Sequence, residues 1–142
     1  MKLLRTAFAV TAFALISLSA QAVTLNLKAD LKTSTEVPPH AGKGAGLLTA
    51  TYDTETKLLT YHVTFAKLSG PATMAHFHGP AAPGANAKVQ IAMPNPVTSP
   101  IDGSATLTDD QNHDLLGGLW YFNVHTAKNP GGEIRGQVVG VE

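Results

Sequence analysis

Leu59-Thr60-Tyr61-His62-Val63-Thr64-Phe65-Ala66 alternates without interruption: Leu59, Tyr61, Val63 and Phe65 fall on one side of an extended chain, and Thr60, His62, Thr64 and Ala66 on the other. Successive side chains of a strand point to opposite faces, so this pattern predicts a strand with one face buried and the other polar. The same period recurs upstream, where Leu25, Leu27 and Ala29 alternate with Asn26, Lys28 and Asp30. Further β-compatible runs cover residues 46–52, 73–78, 88–93, 119–126 and 133–141. Turn-rich stretches such as Gly79-Pro80-Ala81-Ala82-Pro83-Gly84 separate them. The fold predicted is all-β: an antiparallel, Greek-key-like sandwich or barrel of about seven to eight strands. One short helical turn is expected after Thr108. There Thr108-Asp109-Asp110-Gln111 matches a capping box, the two aspartates suit a helix amino terminus, and Gly117 can end the element.

The first 22 of the 142 residues stand apart from this pattern. Lys2 and Arg5 precede an apolar run from Ala7 to Leu18, and Ala20-Gln21-Ala22 gives a small-x-small cleavage site. Residues 1–22 therefore read as a secretory signal peptide and residues 23–142 as a single β domain, periplasmic or secreted. The apolar run is shorter than the ~20 residues that span a bilayer, so no membrane anchor is expected. The chain has no cysteine, which excludes both disulfides and a lipidated mature amino terminus. An exported domain of this size must then rest on its apolar core or on a bound metal. Ten basic and ten acidic residues give the full chain a formal charge of zero, and removal of Lys2 and Arg5 leaves minus two. That balance lacks the basic footprint of a nucleic-acid binder.

The polar faces gather histidine. In Ala75-His76-Phe77-His78, alternation turns Phe77 inward and sets both histidines on one side, with Cβ atoms about 7 Å apart at ~3.3 Å rise per residue. Between Leu119 and His125, the apolar set is Trp120, Phe122 and Val124, so Tyr121, Asn123 and His125 face the other way. Near the end Ile134, Gly136 and Val138 look inward while Glu133, Arg135 and Gln137 look outward. Imidazoles two apart on a strand can share one ion. His76, His78 and His125 are the metal candidates, with His62 as a fourth ligand or a neighbour that orients the ligands. His40, in a loop after Pro38-Pro39, and His113, in an acidic helical segment, are not expected to take part. An all-imidazole set without thiolates suits copper(II), with zinc second; Met74 would add softness for copper(I) if it reached the site. Asn123 and Glu133 either orient imidazoles by hydrogen bonds or serve the Asn129-Pro130-Gly131-Gly132 turn. No nucleophile elbow, phosphate loop or dinucleotide fingerprint is present.

Together, Glu36-Val37-Pro38-Pro39, His76-Phe77-His78-Gly79-Pro80, Tyr121-Phe122-Asn123-Val124-His125-Thr126 and Asn129-Pro130-Gly131-Gly132-Glu133-Ile134-Arg135-Gly136 resemble the chordin-type, or CHRD, domain, from about Leu25 to Val139. The resemblance implies a β-rich extracellular module, found in exported bacterial proteins and as repeats in an animal antagonist of growth factors. It does not by itself imply a reaction.

The segment from Tyr61 to His78 also resembles the strand-turn-strand of copper-zinc superoxide dismutases that ends in an H-x-H pair of copper ligands. By this likeness His76, His78 and His125 are copper ligands. The bridging histidine and zinc ligands of that family have no counterpart, since residues 79–100 contain no histidine. Glu133 occupies the position of its anion-guiding arginine, and Arg135, two residues on, is the substitute candidate. Three readings follow: a copper-binding protein for buffering, delivery or redox protection; a copper-only dismutase-like enzyme; and an interaction module that contacts a partner or itself as a homodimer.

Overall fold

The computed structural model describes residues 22–141. The leader assigned to residues 1–22 therefore lies, apart from Ala22, outside the described residues. Nine strands form one antiparallel sheet: β1 (Thr24–Lys32), β2 (Ala45–Asp53), β3 (Leu58–Ala66), β4 (Ala72–His78), β5 (Val89–Ala92), β6 (Ile101–Thr106), β7 (Tyr121–Thr126), β8 (Ile134–Gln137) and the two-residue β9 (Val139–Gly140). The strand order is β5-β4-β7-β8-β1-β2-β3-β6, with β9 added beside β1, and the sheet curls into a nearly closed barrel. Helix α1 (Asp109–Leu116) starts with the predicted capping box on Thr108 and Gln111 and ends at Gly117.

Alternation builds the barrel wall directly. On β3, Leu59, Tyr61 and Val63 are buried while Thr60, His62 and Thr64 are exposed. They join one continuous core with Leu27, Leu31, Leu48, Tyr52, Phe77, Trp120, Phe122, Val124, Ile134 and Val138. Phe77 is the aromatic centre, with Tyr61 at 5.1 Å on one side and Phe122 at 4.9 Å on the other, both edge-on.

Two expectations are corrected. Residues 101–106 form β6, a strand that their Ile-Asp-Gly-Ser-Ala-Thr sequence does not announce. Pairing with β3 holds it, and Gly103 is required because a Cβ there would stand 2.4 Å from the Tyr61 hydroxyl. The run at 133–141 is broken at Val138, whose N–H donates to the carbonyl of Trp120. This splits it into β8 and β9.

The second face of β7 is not a solvated face. All six of its residues are buried. A second, polar layer covers the outside of β4, β7 and β8, made by the segment around Glu36 and the loop around Ala85–Ala87. That layer is where the histidines lie.

Candidate metal centre

Antiparallel pairing of β4 with β7 sets Met74 opposite His125, His76 opposite Asn123 and His78 opposite Tyr121. The face predicted for His76 and His78 thus meets the face predicted for His125. One ring nitrogen from each of His76, His78 and His125 lies within 4.8 Å of the others. Nitrogens sharing an ion at ~2.0–2.1 Å stand no more than about 4.2 Å apart, so a small turn of the rings closes the set. His78 and His125 are buried, and His76 is half-buried toward the surface.

Two of the three rings are held from behind. His78 Nδ1 donates to the carbonyl of Ala87 at 3.0 Å, and His125 Nδ1 donates to that of Pro130 at 2.9 Å. With its proton fixed on Nδ1, His125 is left with Nε2 for the lone pair, as a metal ligand requires. His76 Nδ1 lies 3.1 Å from His125 Nε2. His78 Nε2 lies 3.1 Å from Asn123 Oδ1, while Asn123 Nδ2 donates to buried Glu36 at 3.4 Å, so an ion on His78 Nε2 would have to displace the Asn123 oxygen. Burial pushes the Glu36 carboxyl up, against the pull of the Val37 N–H and of Arg135. Burial also holds His76 neutral, lowering its pKa to about 4 with help from the neighbouring His125 and His78, and it lowers His78 in the same direction. Neutral imidazole is the form that binds metal. The donor set and its protonation fit an ion that prefers nitrogen ligands.

His62 is not part of this cluster. Its neighbour Tyr61 reaches Phe77 across the core, so His62 and the His76/His78 pair, which alternate with those rings, leave the barrel on opposite sides. His62 Nδ1 instead meets Asp102 at 2.6 Å, beside a groove of about 760 Å³ also lined by Lys28 and Thr49. His40 and His113 also lie outside the cluster.

Arg135 also departs from its predicted place. Predicted outward and available to guide an anion, it is only 2% exposed. Its guanidinium donates to the Ala85 carbonyl at 2.6 Å and to Asn86 Oδ1 at 3.0 Å, and its carbon lies 3.4 Å from the centre of the Tyr121 ring. The covering loop takes one donor from each of its terminal nitrogens.

The alternatives for Asn123 and Glu133 separate cleanly. Asn123 touches His78, whereas Glu133 serves the turn: it accepts from the Ser69 N–H at 2.6 Å, from the hydroxyls of Ser69 and Thr126 and from Asn129. Burial alone would raise its carboxyl, but those hydrogen bonds outweigh burial and hold it below the usual range. The carbonyls of Ala87 and Pro130 had no signal in the sequence, because any residue supplies one. Glu36 did have a signal, in the Glu-Val-Pro-Pro motif, but nothing local tied it to histidine.

Among the described residues no helix is long and apolar enough to cross a membrane. The family model described as the CHRD domain matches residues 27–138, well over half of the chain. No curated protein and no solved structure matches it.

Proposed function

We propose that this chain, which belongs to the CHRD domain family, is an exported copper-binding protein that holds the ion at His76, His78 and His125 and buffers or delivers it. The observation that carries this reading is the convergence of three imidazoles within 4.8 Å, two of them with Nδ1 committed to backbone carbonyls. A nitrogen-only set favours copper(II) or zinc, and copper stands above zinc in the affinity order of such sites. The leader at residues 1–22 supports export. Storage or delivery is favoured over superoxide turnover because the arginine expected to guide an anion is buried and hydrogen-bonded to the covering loop.

The test is titration of the metal-free protein with copper(II) and zinc(II), followed by assay of superoxide turnover by the copper-loaded form. Tight copper binding that His125→Ala abolishes, with little turnover, is the expected result. A parent protein that binds no copper would refute the reading, and rapid turnover would move the assignment to an enzyme.

A further inference from the structure

Met74 is 43% exposed, although every other feature of β4 from Ala75 onward is buried or engaged. The core uses Met93 and not Met74, so Met74 is left free beside the histidine cluster.

Its position is specific. Met74 lies two residues before His76 on the same face of β4, and directly across the ladder from His125. Side chains at such opposed positions have Cβ atoms about 4.5–5.5 Å apart. The register between β4 and β7 shifts between Ala72 and Met74, just where the strand reaches the site. Irregularities of this kind re-aim side chains next to functional sites. Methionine is unbranched with three rotatable bonds, so from that position its sulfur can swing toward the gap between His76 and His125.

The chemistry of the sulfur then decides what it does. A thioether is a soft donor that selects copper(I), whereas imidazole serves copper in either oxidation state and zinc as well. We propose that Met74 is a fourth, oxidation-state-selective ligand, adding one sulfur to the three histidine nitrogens when the ion is copper(I) and standing aside for copper(II) or zinc(II). This rests on the reading of His76, His78 and His125 as a copper site.

The experiment compares the parent with Met74→Leu, a volume-conserving change at an exposed position that leaves the core untouched. Copper(I) affinity is read by competition with bicinchoninate, copper(II) and zinc(II) affinities by direct titration, and the copper(I)-loaded proteins are compared by X-ray absorption. Met74→Leu is expected to lose roughly tenfold or more in copper(I) affinity, to keep copper(II) and zinc(II) affinity within about twofold, and to lose a sulfur scatterer that the parent shows. Equal copper(I) affinities, or an all-nitrogen spectrum in the parent, overturn the role of Met74 while the histidine site stands. An equal loss for all three ions assigns Met74 to structure and overturns its selectivity. A parent that binds neither form of copper overturns both readings, and His125→Ala in the same series identifies that case.

Discussion

The imidazole of His78 and the phenol of Tyr121 lie parallel, with centroids 4.7 Å apart and planes 2° from each other. Arg135 stands 3.4 Å from the centre of the same phenol, and at that distance it must occupy the face that His78 leaves free. One residue ties the stack at its edge: the N–H of Ala87 donates to the Tyr121 hydroxyl at 3.2 Å and its carbonyl accepts from His78 Nδ1. A side chain that alternation assigns to the outside of a barrel is thereby fixed as firmly as one in the core. Little rotamer freedom remains to be lost when an ion binds.

Arg135→Met removes the cap of that stack and leaves the Ala85 carbonyl and Asn86 without their charged donor. We expect a loss of about 2–4 kcal/mol in unfolding free energy, since the arginine is buried and its partners stay behind. Urea denaturation measures it. A change below about 0.5 kcal/mol would mean that the loop around Ala85–Ala87 holds without the guanidinium, as an ordinary surface substitution would suggest.

His76→Ala, His78→Ala and His125→Ala should each weaken copper binding at least tenfold to a hundredfold, because each removes one of three ligands. His62→Ala and His113→Ala should leave the affinity unchanged, His62 because it stands on the opposite wall with Asp102. Calorimetric titration of the five variants under one set of conditions distinguishes them. Weak binding by His62→Ala would return that residue to the ligand set.

An isolated imidazole takes up its proton near pH 6.5. In the folded chain the His76 value is about 4, so between these limits the unfolded chain binds the proton more readily than the folded one. Stability from this group is complete above pH 6.5 and declines as the pH falls toward 4. The metal-free protein should therefore show a melting temperature that drops across this window. The His76 ring should titrate near 4 by NMR; a midpoint near 6.5 would contradict the burial described for it.

Gly132 has φ +134°, and a Cβ there would stand 2.0 Å from Glu36 Oε1 and 3.0 Å from Asn123 Nδ2. Gly132→Ala should therefore cost about 2–3 kcal/mol and push Glu36 off Asn123, read by urea denaturation. Gly131→Ala, with open space around it, serves as the neighbouring control. Equal unfolding curves for the two would show that the turn at Gly132 relaxes freely.

The sequence by itself determined most of the strands, β6 excepted, and the two faces of those it marked. Period two is a local property of the extended backbone, so Leu59, Tyr61 and Val63 had to turn inward together, and His76 and His78 had to share a side. The capping box at Thr108 was equally local. Tertiary structure decided the rest. Which strands adjoin is a matter of long-range pairing, and the β4–β7 ladder is what brings His125 to the His76/His78 pair and sends His62 to the far wall. Whether an outward face meets water was likewise invisible along the chain. Alternation separates the sides of a strand, but only the loops crossing β7 and β8 bury Asn123, His125 and Arg135 on the outer side, where backbone carbonyls from distant residues hold the rings.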